Sequence, residues 1–193
     1  MNKHEARALL RALRPDADLR AAESSRLCRY VAAWSVFRQA ETVASFLPLP
    51  WEADISPIND LILRQKTLLL PKVNRHQLNF CRVTHLDACR PVPPFGIPEP
   101  PEDAPLYAPG RIDLLLVPLE GLDASGHRLG KGGGYYDRYL TAFTGVACGI
   151  ALSYQWMAQI PTDPWDQPLS YAVSPDGCYD FQNGGLQIGK SKA

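Results

Sequence analysis

Short apolar runs separated by longer polar stretches constrain the fold of this chain more than any other feature of its sequence. The runs cover residues 43–49, 67–70, 77–83, 112–117 and 145–152. Their lengths are typical of β-strands, and some of the stretches between them, such as residues 54–64, can form helices. This alternation predicts a largely parallel α/β sheet with covering helices, although it does not reveal the order of the strands.

The regions around these runs have simpler patterns. Residues 3–40 are rich in alanine, leucine and arginine, and they predict two helices separated near Pro15. Eight prolines between Arg90 and Pro109 predict an extended surface loop, since each proline fixes φ and removes a backbone donor. The tail after about residue 180 is expected to be poorly ordered. A length of 193 residues suits a single domain that spans residues 1–193.

The charge balance and the cysteines restrict the classes of partner and compartment. Twenty Lys and Arg residues balance twenty Asp and Glu residues, so no overall field favours nucleic acid or an anionic membrane. No apolar run approaches the roughly 18 residues of a membrane span, and the first residues lack the apolar core of a signal peptide. Five scattered cysteines without C-x-x-C pairs predict reduced thiols. Together these features predict a cytoplasmic protein.

A glycine-rich segment between a predicted strand and a predicted helix carries the clearest chemical information. It occupies residues 128–134 and reads RLGKGGG. Glycines allow positive φ, so consecutive N–H groups can converge on an anion, and a helix N-terminus would add its dipole. Arg128 and Lys131 supply positive charge. The segment predicts a phosphate-binding loop, although its spacing matches neither a Walker A loop nor a dinucleotide fingerprint. A flexible connection with ordinary surface cations is the alternative.

The helix predicted after this loop places an apolar face on one side. That face comprises Tyr135, Tyr136, Tyr139, Leu140 and Phe143. An aspartate in the first helical turn is favoured by the helix dipole without any function, yet beside a phosphate loop it is also a suitable Mg²⁺ ligand. Asp137 stands at this position.

The run from Arg128 to Asp137, RLGKGGGYYD, closely resembles the R-L-G-x-G-x-G-Y-Y-D signature of the 5-formyltetrahydrofolate cyclo-ligases. Other segments resemble the family in the right order along most of the chain. They are Lys3 with Arg7, Phe46 and Leu47 with Glu52, Val117 and Pro118 with Gly121 to Asp123, and Ala151, Gln155, Pro161 and Trp165 to Leu169. Leu119 and Leu122 replace a glycine and a phenylalanine of the family pattern.

The resemblance implies an open three-layer α/β/α fold, similar to CoA-transferases and phosphosugar isomerases. It also implies ATP- and Mg²⁺-dependent closure of 5-formyltetrahydrofolate to 5,10-methenyltetrahydrofolate, with release of ADP and phosphate. In the chemistry of the family, the formyl oxygen attacks the γ-phosphate, N10 attacks the activated carbon, and phosphate leaves. The expected partner is the small molecule 5-formyltetrahydrofolate, with or without a polyglutamate tail. A monomer is expected, without nucleic acid or membrane.

The resemblance also assigns roles to individual residues. ATP binding is assigned to Lys3, Arg7, Arg128, Leu129, Gly130, Lys131, Gly132, Gly133, Gly134, Tyr135 and Tyr136. Catalytic roles are assigned to Arg128, Lys131 and Tyr136, and substrate binding to Leu47 and Glu52. Two aromatic residues are added to the substrate site from their positions in the sequence, Trp51 as a stacking neighbour of Glu52 and Tyr135 at the edge of the loop. Asp137 is assigned to the metal, with a weaker role for Asp166, because Ser170 stands where many members have a second aspartate. Arg11 and Arg14 are interpreted as surface residues.

Three alternatives compete with this hypothesis. A binding protein that keeps both pockets but lacks turnover would act as a sensor or folate sink, and product formation distinguishes it. A phosphosugar isomerase or CoA-transferase-like enzyme needs no ATP, so ATP hydrolysis dependent on 5-formyltetrahydrofolate would exclude it. A zinc site at His76, Cys81, His85 and Cys89 is disfavoured, because strand-like alternation would spread these side chains.

Overall fold

The structure is a computed structural model that describes residues 1–75, 77–93 and 96–183, together with the backbone of residues 185–188. Its helices are α1 (Lys3–Ala12), α2 (Ala17–Ala33), α3 (Ser35–Gln39), α4 (Ser56–Gln65) and α5 (Tyr135–Leu140). The break predicted near Pro15 is confirmed, since α1 ends before it and α2 begins after it, but residues 3–40 form three helices and not the predicted two. Capping explains both starts: Asn2 accepts the backbone N–H groups of His4 and Glu5, and Asp16 accepts that of Leu19.

The strands form one large sheet and two small ones. They are β1 (Thr42–Ala44), β2 (Thr67–Asn74), β3 (Gln77–Val83), β4 (Arg90–Val92), β5 (Ile97–Glu99), β6 (Leu106–Tyr107), β7 (Leu114–Pro118), β8 (Gly121–Leu122), β9 (Arg128–Leu129), β10 (Val146–Ile150), β11 (Tyr171–Ser174), β12 (Gly177–Asp180) and β13 (Gly185–Ile188). Within the described residues, the large sheet has nine strands in the order β13-β12-β11-β10-β7-β1-β2-β3-β6.

The pairing within the large sheet confirms the predicted α/β class. Its centre, from β2 through β1, β7 and β10 to β11, is parallel. Antiparallel strands extend both edges, with β3 and β6 beyond β2, and β12 and β13 beyond β11. Each of the five apolar runs overlaps a strand of this sheet. The proline-rich stretch is more structured than a plain loop, because β4 and β5 pair as a small hairpin.

The tail contains one strand of the large sheet. Residues 185–188 form β13, which pairs with β12 through backbone hydrogen bonds and a register shift at Cys178 and Tyr179. The expectation of a poorly ordered tail after about residue 180 stays a prediction. Gly184 and residues 189–193 lie outside the described residues. The single-domain assignment stays a prediction.

Two hydrophobic clusters cover opposite faces of the sheet. Leu114 and Leu116 of β7 belong to the cluster under α2 and α4, whereas Leu115 and Val117 belong to the cluster under α5. This alternation follows from the two-residue period of a strand. A third cluster holds α1 in place, where Ala6 and Leu10 pack on Leu129 and Ile160. Full burial of a side chain such as Leu10 contributes about 1.5–3 kcal/mol.

The cysteines and the helices agree with two further predictions. All five thiols are free and buried. Burial and the nearby Asp54 charge raise the pKa of Cys28 to about 11, and burial raises that of Cys178 to about 12. In the part of the chain that the structure describes, no helix is both long and apolar enough to cross a membrane.

Candidate active site

The candidate site lies at the carboxyl edge of the parallel strands, where open α/β sheets bind ligands. The segment after β1 leads to Glu52, the segment after β7 leads to Glu120, and the segment after β10 leads to Tyr154 and Gln155. The Gln155 side chain joins two of these segments, because its amide donates to the Leu119 carbonyl at 2.6 Å. The same edge carries the β8–β9 hairpin that leads into the glycine-rich loop.

The β8–β9 hairpin is held by the buried carboxylate of Asp123. One oxygen accepts the backbone N–H groups of Ser125 and His127, and the other accepts that of Ile160 at 2.9 Å. Gly126 completes the turn with φ of +80°, and a Cβ there would lie 2.5 Å from the Leu169 carbonyl oxygen. This turn therefore requires glycine and fixes the direction in which Arg128 leaves the hairpin.

The glycine-rich loop has the backbone conformation that its sequence predicts. Gly132 and Gly134 have φ of +107° and +63°, a region that favours glycine. The Arg7 side chain ties helix α1 to this loop, because its Nε donates to the Gly130 carbonyl at 2.7 Å. The Arg7 guanidinium also lies about 3.7 Å from where a Cβ at Gly132 would stand. Arg7 and the loop are therefore neighbours, as predicted.

Arg128 is buried and bonded to Asp137. Its Nη2 lies 2.7 Å from Asp137 Oδ1, and its Nη1 donates to the Gln167 carbonyl. The same Asp137 oxygen accepts the Gln167 N–H at 3.3 Å. Burial lowers the pKa of Arg128, and the Asp137 charge opposes this shift. Asp137 therefore lies close to the loop, but in this structure its carboxylate is paired with the buried Arg128 guanidinium.

Lys3 joins the start of helix α1 to the segment after β10. Its ammonium nitrogen lies 2.5 Å from Asp166 Oδ2 and 2.7 Å from Asp163 Oδ2. Burial works to lower the pKa of Lys3, but hydrogen bonds and charge from both aspartates outweigh it and raise the pKa. For Asp166, burial is outweighed by Lys3, the Asp163 N–H and Arg128, so its pKa is lowered. Asp166 thus faces two cations.

Lys131 bonds to Glu52, across the site from the aspartates. Its ammonium lies 2.5 Å from Glu52 Oε1, and the other Glu52 oxygen accepts the Leu49 N–H at 2.8 Å. The Glu52 side chain is only 8% exposed. Tyr136 is close to this pair, since burial and then the Glu52 charge raise its pKa, with Arg128 opposing. The loop lysine, the carboxylate after β1 and the tyrosine therefore form one group.

The family model of the 5-formyltetrahydrofolate cyclo-ligase family matches residues 2–175 of the chain. The chain belongs to this family. A 5-formyltetrahydrofolate cyclo-ligase of Haemophilus influenzae is 33% identical over 140 residues, which cover 68% of this chain and 74% of the relative. The Escherichia coli K12 protein of the same name is 32% identical over 153 residues, which cover 74% and 82%.

Solved structures agree with the family assignment. The NMR structure of Aquifex aeolicus 5,10-methenyltetrahydrofolate synthetase has a TM-score of 0.85 and 30% identity, and the match covers 100% of this chain and 98% of that one. The Mycoplasma pneumoniae synthetase has a TM-score of 0.73 and 24% identity, covering 91% and 99%, and supports the fold. As a cyclo-ligase family member, the chain is a ligase.

The structure brings together most of the residues assigned from the cyclo-ligase signature. Lys3, Arg7, Arg128 and Lys131 all reach the loop or its neighbours, as described above. Leu129 is different, because its side chain is buried under α1 and only its backbone can meet a ligand. Leu47 packs against the cluster under α2. The ring of Tyr135 faces the Arg138 guanidinium, 5.0 Å from its centroid.

Two features of this site were missed by the sequence interpretation. Asp163 bonds to Lys3, and its only sequence signal is its place three residues before Asp166 in a proline-flanked turn. Arg14, interpreted as a surface residue, has a side chain that is only 26% exposed and lies 3.3 Å from Glu120. Its guanidinium also stacks over Trp51 at 4.9 Å. The surface interpretation of Arg14 is therefore wrong.

The suggested zinc cluster finds no support. His76 lies outside the described residues, and among the residues that are described no group of three or more His, Cys, Asp or Glu side chains could hold a metal ion. Cys81 and Cys89 are both buried, and burial raises the pKa of each thiol.

Proposed function

We propose that this cyclo-ligase family member converts 5-formyltetrahydrofolate to 5,10-methenyltetrahydrofolate in an ATP- and Mg²⁺-dependent reaction that releases ADP and phosphate. The observation that carries the proposal is a set of four cations around one glycine-rich loop at the ligand-binding edge of the sheet. The cations are Lys3, Arg7, Arg128 and Lys131. A triphosphate requires charged hydrogen-bond donors at the site itself, because the chain as a whole has no net charge that would attract it.

The same cations are bonded within the protein, which indicates how ATP would bind. Three of them pair with carboxylates, and Arg7 donates to a carbonyl. Phosphate oxygens accept the same hydrogen bonds, so a triphosphate can take over the donors of Lys3 and Lys131. The carboxylates that these cations leave then become available to other ligands. ATP binding is in this way an exchange of partners.

The donor set suits Mg²⁺. This ion takes one or two protein carboxylates and completes its octahedral shell with phosphate oxygens and water. Asp137 and Asp166 both lie near Arg128, and a protein site of two carboxylates fits that preference. Asp137 and Asp166 would hold the ion, which supplies neutralisation of the phosphate charge.

The folate would lie on the side of Glu52. A carboxylate at this buried position can accept hydrogen bonds from the N–H groups of a pterin ring. The raised pKa of Tyr136 keeps its hydroxyl protonated at neutral pH, so it serves as a hydrogen-bond donor and not as a base. Trp51, next to Glu52 and 39% exposed, offers an aromatic surface. Tyr135 borders the same loop.

The reaction then needs positioning and charge neutralisation more than acid–base chemistry. The formyl oxygen attacks the γ-phosphorus and ADP leaves, which turns a poor leaving group into a phosphate ester. N10 attacks the activated carbon, the carbon–oxygen bond breaks, phosphate departs and the N10 proton is lost. Arg128 and Lys131 would stabilise charge on the phosphoryl group, with Lys3 and Arg7 holding the triphosphate.

One assay tests the proposal. The purified protein is incubated with 5-formyltetrahydrofolate, ATP and Mg²⁺, and methenyl absorbance and phosphate release are followed together. Product and phosphate are expected in equal amounts, and only when both nucleotide and divalent cation are present. Equal turnover without nucleotide contradicts the proposal, and tight binding of both ligands without product indicates a binding protein instead. Cytoplasmic location and the monomeric state stay predictions.

A further inference from the structure

A cluster of side chains around Arg14 lies at the edge of the site. Arg14 follows helix α1, stacks over Trp51 at 4.9 Å and lies 3.3 Å from the buried carboxylate of Glu120. The hydroxyl of Tyr154 is also a neighbour, because the Arg14, Glu120 and Glu52 charges all act on it. Trp51, Glu120 and Tyr154 follow β1, β7 and β10, so the cluster sits at the same carboxyl edge as Glu52.

Arg14 has unused capacity to bind an anion. Its Nε is buried and has no hydrogen-bond acceptor among the residues that the structure describes. A buried donor without an acceptor costs free energy, so its retention calls for an explanation such as a ligand. Arg11 also approaches Glu120, at 4.0 Å. Two guanidinium groups therefore face one carboxylate, which leaves one positive charge in excess beside Trp51.

Arg14 lies beyond the end of α1, away from the end of the helix that approaches the glycine-rich loop. Arg7 bonds to Gly130 of the loop, and at about 1.5 Å per residue the last residue of α1, Ala12, lies roughly 7 Å further along the helix. Arg14 follows that end and bonds to Glu120, whereas Arg7 and Lys3 bond to the loop and to Asp166. The cluster lies instead beside Glu52, through the adjacent Trp51 and Tyr154.

We propose that Arg14 and Trp51 form a subsite for the aminobenzoyl-glutamate part of the substrate, in which Trp51 contacts the ring and Arg14 binds a glutamate carboxylate. This inference rests on the proposed function, since 5-formyltetrahydrofolate carries an aromatic ring and a glutamate beyond its pterin. A guanidinium binds a carboxylate through paired, charge-assisted hydrogen bonds. Stacking on Trp51 holds the guanidinium plane in place and reduces the entropy lost on binding.

The subsite makes Arg14 a specificity-determining residue for the tail and not a participant in the chemistry. Removal of the glutamate from the substrate and removal of the Arg14 charge from the protein should then have overlapping effects. A purely structural role for Arg14, which holds Glu120 and Trp51 in place, predicts something else, because it would impair substrates with and without glutamate to the same extent.

The experiment compares kcat/KM for 5-formyltetrahydrofolate and for 5-formyltetrahydropteroate, which lacks the glutamate, in three proteins. The wild type is expected to prefer the glutamate-bearing substrate by about tenfold or more, the value of a charge-assisted hydrogen bond. In Arg14→Gln the preference should fall to about twofold or less, whereas Arg14→Lys should keep part of it. The matched control is Arg64→Gln, an exposed arginine near Thr67 at the opposite edge of the sheet, which should keep the full preference.

The possible outcomes distinguish failure of the proposed function from failure of the subsite. No product from either substrate in the wild type overturns the proposed function itself. Product from both substrates with no preference in the wild type, or with the same preference in Arg14→Gln, overturns the subsite while the proposed function stands. If Arg14→Gln does not fold, two other variants test the subsite. Arg14→Lys should keep part of the wild-type preference for the glutamate-bearing substrate. Trp51→Ala should lower kcat/KM for both substrates, since both carry the ring.

Discussion

The Lys131 ammonium has two competing partners, the Glu52 carboxylate in the structure and a phosphate in the proposed complex. Hydrogen bonds to charged groups are worth about 1.5–3 kcal/mol, so Lys131→Ala is expected to weaken ATP binding by that amount. Isothermal titration with a non-hydrolysable ATP analogue measures the change. Arg26→Ala, which removes an exposed charge on α2, is the control. Unchanged affinity in Lys131→Ala, with intact thermal stability, would show that this lysine does not reach the nucleotide.

Glu52 is expected to bind 5-formyltetrahydrofolate and not the nucleotide. Glu52→Gln keeps the size of the side chain but removes the charge that Lys131 and the pterin N–H groups would share. Binding of 5-formyltetrahydrofolate should therefore weaken much more than binding of nucleotide. Titration of each ligand against the variant gives the comparison. A larger loss for nucleotide than for folate would mean that Glu52 serves mainly to hold Lys131.

The residues that are proposed to hold the metal have different partners in the structure. Asp137 pairs with Arg128, Asp166 pairs with Lys3, and Ser170 offers a hydroxyl in place of a carboxylate. Asp137→Asn should sharply raise the Mg²⁺ concentration needed for half-maximal activity, and Asp166→Asn should raise it modestly. Ser170→Asp should lower it, because a carboxylate is the stronger ligand. A normal Mg²⁺ requirement in Asp137→Asn, measured at saturating ATP, would reduce Asp137 to a partner of Arg128.

At the scale of elements, the β8–β9 turn and the loop after it use glycine for different reasons. Gly126 has φ of +80° and backbone close to its missing Cβ, whereas a Cβ at Gly130 would have no heavy atom within 4 Å. Gly126→Ala should lower the free energy of unfolding by at least 1–2 kcal/mol, roughly the left-handed penalty alone. Thermal unfolding of Gly126→Ala and Gly130→Ala measures this difference. Similar midpoints for both would mean that the turn relaxes.

The elements themselves could largely be predicted from the sequence, and their junctions could not. Residues 77–83 form a strand with the predicted bounds, and the turn near Pro15 separates two helices, because periodicity and proline act locally. The strand at residues 185–188 was not among the predicted strands, since it forms by pairing with β12. Local patterns contain no information about which edge strand is available for pairing.

In the candidate site, too, the local features could be predicted from the sequence, whereas the contacts between distant positions could not. The positive φ angles in the glycine-rich loop of residues 128–134 and the acid at the start of α5 could be predicted, because they follow from residue type and local position. The ion pair of Lys131 with Glu52 joins positions 79 residues apart. The burial of Arg14 depends on Trp51 and Glu120, from the segments that follow two different strands. Neither contact could be predicted without the strand order, which the sequence pattern does not contain.

At the scale of the whole molecule, the Lys3–Asp166 ion pair links the first helix to the segment after β10 and should respond to pH. The folded pKa of Asp166 is lowered, so its stabilisation is present above the ordinary aspartate value and is lost as pH falls through the folded value. The folded pKa of Lys3 is raised, so its stabilisation is present below the ordinary lysine value and is lost as pH rises through the folded value.

The expected result is a stability difference with limits at both ends of the pH scale. The unfolding midpoints of the wild type and Lys3→Met should differ by a constant amount between about pH 5 and pH 9, and converge below about pH 4. Asp163 and Arg128 act on the same groups and would broaden the transition. A difference that persists unchanged into strong acid would show that packing of α1, and not this ion pair, holds the helix.

The ties of helix α1 have a consequence for the newly made chain. Arg7 reaches Gly130 across 123 positions, and Lys3 reaches Asp166 across 163. The ribosome synthesises the chain from the amino terminus, so α1 leaves the ribosome long before Gly130 and Asp166 are made. A shortened chain that stops after the glycine-rich signature would contain that motif but lack Asp163 and Asp166, the partners of Lys3. Competence to hold nucleotide would therefore arise late in synthesis, and prematurely ended chains would not compete with finished protein for ATP.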